Sequence, residues 1–484
     1  MDIRRFSLGE KVSAINLGLY TTVFLVGFVG VIVLPFYLYL FGAGVFWEFL
    51  GIAVCMLVIW NLEAYRLMRY AKNNKDIMSI PGYFTKRFRD HRWFMRMLVS
   101  VEIIILSLVI MALITKEMTL VFNTIFGQPF RYMSLAVVVV VAIALGLFGI
   151  EYIYKSAVYK AVIIMITVIS VFIYMFSQLG IYQLVKNIMS TLVTGSVSEY
   201  MNILYHNGKM LEVSDLISLA SMGTLSSGMP FILNSFFAVD NSKKISTGKK
   251  IMVVYILPFF IGAAGMGGIS RGYLYPEAVT RSLSEYIKLV FLSLKNSGGV
   301  GNVIAYLYII SIFIAFISAI EGSLNAVSTV ILEDILNKGR VVHIRKKNEP
   351  KVIVWCCIFV GVAVVLLSEI IGSFSISTIT VFIGTMGCSI SPVVFMSLVW
   401  KRMNKYGCIA GLVSGLVSVP LFKYALIFGG ESGRITLCDL LGVNSVVPSI
   451  IVSFSMIILF SLLTPDVSKK AKDEFMNVRN RIEQ

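Results

Sequence analysis

The feature that most constrains this chain is a succession of apolar runs, each about twenty residues or longer, separated by short polar connections. A bilayer hydrocarbon core of ~30 Å needs roughly 20 apolar helical residues to cross it. By that measure twelve spans are expected, at about 12–42, 44–66, 94–122, 130–149, 152–179, 216–239, 250–273, 301–335, 351–370, 374–400, 407–429 and 441–464. Composition agrees: 57% of the residues are hydrophobic and only 14% charged, too few charges to solubilise 484 residues as water-exposed domains.

The formal charge of +16 does not indicate nucleic acid, because the cations fall between the apolar runs. With a cytoplasmic N-terminus, the inner segments carry 30 of the 42 Lys and Arg, which places both termini in the cytoplasm of a cell membrane protein. The basic connection with Lys86, Arg87, Arg89 and Arg92 is expected to meet anionic lipid. Six scattered cysteines show no disulfide or zinc spacing, and His91, His206 and His343 fall in polar connections. Neither a metal motif nor a nucleophile with its base is available, so an enzyme is not expected.

Span lengths are uneven. The first and sixth spans carry Gly27, Gly30 and Pro35, and Gly223, Gly228 and Pro230, where a helix can break and present backbone groups to a ligand. The third and eighth are the long ones. A correspondence of spans 1–5 with 6–10 suggests an inverted repeat with a solute site between the broken pair. In the eighth span, Ser318, Glu321, Asn325 and Ser328 recur on one helical face. A carboxylate at bilayer depth costs ~2.5–3.5 kcal/mol, so Glu321 needs a wet cavity or a partner. The stripe either lines a solute path or joins neighbouring helices by hydrogen bonds.

Four segments carry a family resemblance: MSIPGYFTKRF at 78–88, GMPFILNSFFAVD at 228–240, SAIEGSLNAVSTVILED at 318–334 and PVVFMSLVWKRMNKYGCIAGLVSG at 392–415. In order and spacing they resemble the motifs of the sodium:solute symporters. The resemblance implies an all-α membrane protein of about 12 transmembrane helices, a five-plus-five inverted repeat (LeuT-like core) followed by two helices. The implied division is a cytoplasmic N-terminus (1–11), repeat one (12–180), an extracytoplasmic loop (181–215), repeat two (216–400), two further helices (401–464) and a cytoplasmic tail (465–484). Members commonly have an extra helix before the core, and this chain is expected to lack it.

The resemblance also implies a cation site between the first and eighth helices, with carbonyls of Leu17, Tyr20 and Ala315 and the hydroxyl of Ser318 as ligands. A second hydroxyl of the family pattern is replaced by Ala319, which removes one hard oxygen from a sodium site. The family's fifth-helix acid has no counterpart either. Lys160 on that helix is expected either to supply an ammonium opposite Glu321 in place of sodium, or to snorkel to the inner interface. Glu151 and Lys155 read as an ordinary surface pair.

Solute contacts implied by position are Glu48, otherwise a solvated end residue, and Phe231, otherwise packing. Asn325 and Thr21 are polar candidates, although Thr21 equally suits back-bonding to its own helix. The expected activity is uptake of a small polar organic solute across the lipid bilayer by alternating access, with sodium or a proton as coupling ion, or uncoupled, and with no cofactor or nucleic acid. A membrane sensor or partner subunit keeping a transporter fold is the other reading.

Overall fold

The structure, a computed structural model, describes residues 1–10, 12–90, 93–192, 196–277, 279–339, 344–372, 376–428 and 434–480. His91, Arg92 and His343 lie outside these residues. Each of the twelve expected spans has a helical counterpart. Nine helices among the described residues are long and apolar enough to cross a bilayer: Ala43–Asn73, Phe94–Phe126, Ile150–Gln178, Ser242–Tyr273, Gly299–Asn337, Lys346–Ile370, Thr378–Val399, Lys405–Tyr424 and Val446–Leu463. A tenth crossing is the pair Ala14–Val23 and Gly27–Phe41, bent by 41°. The remaining two counterparts are Pro129–Phe148 and the broken sixth segment.

The two interruptions take different forms. In the first span the Gly-containing stretch Leu25–Val33 widens into π-helix rather than unwinding, and Gly42 at φ 84° stops the following helix Leu34–Phe41. The sixth segment is broken outright into Val213–Ser221, Thr224–Ser227 and Pro230–Ser235. Met229 is extended there, as the residue before a proline prefers.

The second span outlasts its expected limit by seven residues, reaching Asn73. Its charged end is covered rather than solvated: Arg66 donates to the Leu398 carbonyl at 2.7 Å, and Arg69 to that of Val478 on the tail helix Lys469–Asn480 at 2.9 Å. The following basic connection folds into helix Ile80–Phe88, capped by Ser79. Arg87 within it does not face lipid. It is buried, bonds the Ser397 carbonyl at 3.0 Å and lies over the Phe88 and Phe475 rings.

Two shorter amphipathic helices, Ile181–Thr191 and Leu283–Asn296, lie between spans. The core fills the space where the first, fifth, seventh and eighth spans pack together. Close backbone approach sets parts of that packing: a methyl group added to Gly18 would stand 2.6 Å from the Gly248 carbonyl oxygen.

Candidate functional site

The stripe on the eighth span divides into two parts. Ser318 and Glu321 face the fifth and first spans, where they line a small cavity with Tyr20, Lys160, Phe231 and Gly322. Farther along the helix, Asn325 donates to the Phe6 carbonyl at 3.4 Å, and Thr329 to the Ser7 hydroxyl at 3.0 Å. Both contacts are with the N-terminal helix Ile3–Leu8, whose last three residues are buried. Asn325 is therefore a structural contact here and does not reach the cavity.

Lys160 turns inward and donates to Glu321 Oε2 in a buried ion pair. Its Nζ does not snorkel, although Lys155, five residues earlier, is exposed. Among the described residues, Glu321 Oε1 is buried without a hydrogen-bond partner, as are the Tyr20 and Tyr154 hydroxyls. The two tyrosine rings meet edge-on at 4.9 Å, and Tyr20 meets Phe231 at 6.3 Å. Phe231, just after the sixth-segment break, packs on Gly322, where an added methyl would stand 3.0 Å from its ring. The void enclosed is only about 10 Å3, room for one water and no solute. Of the two expectations for Glu321, a wet cavity or a partner, the structure shows a partner, Lys160, beside a small cavity.

The carbonyls at Leu17 and Tyr20 lie within the regular helix Ala14–Phe24, and that of Leu17 also accepts the Thr21 hydroxyl at 3.1 Å. Thr21 donates its hydroxyl to the Leu17 and Gly18 carbonyls of its own helix. Ala315 packs close to Gly27, and Ser318 donates to the Ile314 carbonyl at 2.8 Å, leaving its lone pairs available. Ala319 is fully buried and contributes no oxygen. Glu48 is half-buried near Tyr37 and is not among the residues around the Lys160–Glu321 pair. Glu151 is no simple partner of Lys155: it accepts the Glu10 amide at 3.0 Å and faces Arg5 at 3.6 Å.

This arrangement, a cation held between the first, fifth and eighth helices beside a broken sixth, can be set against known proteins. A match to the sodium:solute symporter family spans residues 7–415. The chain belongs to the sodium:solute symporter family. Among curated relatives, the high-affinity proline transporter PutP of Bacillus subtilis is 24% identical, over 90% of this chain and 88% of its own length. The sodium/proline symporter of Escherichia coli (strain K12) is 23% identical, covering 89% and 82%. That of Haemophilus influenzae is 25% identical, covering 93% and 86%.

Solved structures agree on the fold. A Na+-coupled sialic acid symporter in a substrate-bound outward-open state superposes with a TM-score of 0.72 at 16% identity, over 97% of this chain and 94% of that one. MhsT in complex with L-phenylalanine gives 0.57 at 13% identity, over 92% and 97%. The symporter therefore has the LeuT-like five-plus-five core followed by two helices, and it is a multi-pass secondary active transporter.

Glu63 is among the buried acids that the sequence reading did not single out. Glu63 stands three residues before the expected end of the second span, where a carboxylate reads as a solvated end residue. Because the span continues to Asn73, Glu63 lies inside the bundle and is only 2% exposed. Its position after the apolar run through Ile59 and Trp60 was the available signal.

Proposed function

We propose that this symporter takes up a small polar organic solute, with Lys160 as a built-in cation in the place that the resemblance gives to sodium. Proline and chemically related amino acids are the first candidates, because the curated relatives named above are proline transporters. The observation that carries the proposal is the Lys160–Glu321 pair beside Ser318 and Tyr20, in a cavity bounded by the broken sixth segment.

An ammonium fixed to the chain does the electrostatic work of a bound ion: it neutralises Glu321 and ties the fifth helix to the eighth. It carries no net charge across unless it releases its proton. Each charge moved across 100 mV is worth ~2.3 kcal/mol, so concentrating power then depends on a proton passed by Lys160 or on a cation bound elsewhere. The orphaned hydroxyls of Tyr20 and Tyr154 and the free oxygen of Glu321 supply polar groups at this knot for a solute or a proton carrier once the helices part. The distribution of Lys and Arg supports a cytoplasmic side for both termini.

Purified protein in liposomes tests the proposal, with imposed sodium or proton gradients and a panel of amino acids and other polar solutes. Saturable uptake that is abolished in Lys160→Ala and partly restored in Lys160→Arg supports it. Unchanged uptake in Lys160→Ala overturns the role of Lys160, and ligand binding without flux overturns transport.

A further inference from the structure

A second hollow, of about 530 Å3, lies between the first, second and seventh spans beneath the connection 200–203, and it shares no lining residue with the Lys160–Glu321 knot. Small residues open it. Ala53 on the second span and Ala264 and Gly268 on the seventh leave the two helices apart, and a methyl group added to Gly268 would meet no atom within 4 Å. Phe49 and Phe260, whose rings meet edge-on at 5.2 Å, join the same two spans at the wall of the hollow. Its roof is fixed in place: Trp47 donates from Nε1 to the Ile203 carbonyl at 2.9 Å, and a methyl group on Gly42 would stand 2.4 Å from the Tyr200 carbonyl oxygen.

Every side chain around this hollow is apolar except Tyr200, whose hydroxyl already donates to the Leu38 carbonyl at 2.7 Å. Such a lining holds neither an ion, nor a polar solute, nor an ordered water, each of which needs polar partners when buried. Left empty, it would forfeit the dispersion contacts of its whole surface. The occupant that fits is hydrocarbon, and the bilayer supplies it. Phe46, Leu50, Leu257 and Ile261 line the mouth and are exposed on spans that cross the membrane, so the hollow continues the lipid-facing surface inward. Its length fits as well. The seventh-span wall from Leu257 to Ile269 runs ~18 Å at ~1.5 Å per residue, close to the ~15 Å of one leaflet in a ~30 Å hydrocarbon core.

We propose that this groove binds one acyl chain of a bilayer phospholipid, lodged between the second span on one side and the first and seventh on the other. Shape and dispersion hold the chain, and the roof at 200–203 keeps it below the level of the headgroups. The headgroup stays in the interface and is not selected, because the lining offers it no polar contact. This site stands independently of the solute reading: it shares no residue with the knot, and its test needs no flux.

Photolabelling of the full chain tests the groove, in vesicles of phosphatidylethanolamine and phosphatidylglycerol doped with a phosphatidylethanolamine whose acyl chain carries a diazirine. Labelled positions are read by peptide mass spectrometry. Phe49 and Ile269 line the groove but are buried, so a chain reaches them only from inside it, whereas exposed Phe359 on the ninth span reports ordinary boundary lipid. In the wild type, labelling of Phe49 and Ile269 is expected to saturate with probe dose while that of Phe359 rises in proportion to it. Gly268→Phe fills the groove and is expected to cut labelling of Phe49 and Ile269 about tenfold without changing Phe359; Gly268→Ala leaves room and keeps the wild-type pattern. Ala53→Phe fills it from the opposite wall and serves where Gly268→Phe does not fold. A wild type unlabelled at Phe49 and Ile269 overturns the site, as does undiminished labelling in the filled variant. Loss of that labelling on adding excess leucine at constant lipid gives the groove to an apolar solute and overturns it too.

Discussion

Asp334 and Arg96 meet at 3.1 Å in a buried ion pair that joins the end of the eighth span to the start of the third. Ser79, the cap of the helix carrying the first family motif, donates to the other Asp334 oxygen at 2.6 Å. Three elements distant in sequence thus converge on one carboxylate. Breaking a buried pair by removing one partner typically costs about 3–5 kcal/mol, because the other charge is left stranded. Asp334→Ala should lower the thermal unfolding temperature in detergent more than Ser79→Ala, which removes one hydroxyl and a helix cap worth ~1 kcal/mol.

The Lys160–Glu321 pair predicts a separation of stability from transport. Either single neutralisation strands a buried charge and should destabilise by about 3–5 kcal/mol. The double variant Lys160→Met/Glu321→Gln strands none and should recover most of that stability while uptake stays at background. Thermal unfolding and liposome uptake measured on the same three proteins decide it; a double variant that transports normally contradicts the assigned role.

Glycine contacts between the second and sixth spans give a steric prediction. A methyl group on Gly51 would stand 2.0 Å from the Ala220 carbonyl oxygen, and one on Gly223 would stand 2.1 Å from that of Gly51. Both obstacles are backbone and cannot swing aside, so Gly51→Ala and Gly223→Ala should each reduce folded yield and uptake by about tenfold or more. Gly268→Ala, with nothing within 4 Å of the added methyl, is the matched control and should leave yield within twofold of wild type.

The antiparallel pair Tyr205–His206 and Lys209–Met210, in the connection before the sixth segment, gives a pH prediction. His206 stacks on Phe41 at 5.0 Å, and burial lowers its pKa below the ordinary 6.5, against a smaller opposing pull from Asp215. Above 6.5 the imidazole is neutral in both docked and undocked loop, and docking is unaffected. As pH falls through 6.5 the undocked form takes up a proton that the docked form resists, so docking weakens with acid. Hydrogen exchange of the 196–215 amides should therefore quicken between pH 7.5 and 5.5, beyond the intrinsic change in exchange chemistry, and His206→Phe should remove the excess.

How much of this was legible follows from what each signal depends on. Long apolar runs report burial in lipid directly, so nine of the expected spans and the bent first pair return among the described residues as membrane-crossing helices, and the glycine and proline pattern located the break at 228–230. The second span was ended at residue 66 because a basic connection begins there, whereas the tenth span and the tail helix accept Arg66 and Arg69. Helices Ile181–Thr191 and Leu283–Asn296 are too short and too polar on one face to register as spans. In the site, Glu321 was legible because a carboxylate at depth needs a wet cavity or a partner, while Lys160 stood open between that partner and a snorkelling side chain. Asn325 shares the stripe but meets the N-terminal helix, a tertiary contact that helical spacing cannot foresee.

The glycine seams also divide the labour of motion. The first span lies against the seventh at Gly18 and Gly248, and again where Gly267 meets the Pro35 backbone, while the second lies against the sixth through Gly51 and Gly223. Main chain touching main chain gives up much dispersion energy on parting. Each couple should accordingly travel like a hinge leaf, and the joint that swings belongs where side chains rather than main chains meet and one charged clasp, at Lys160, can be undone.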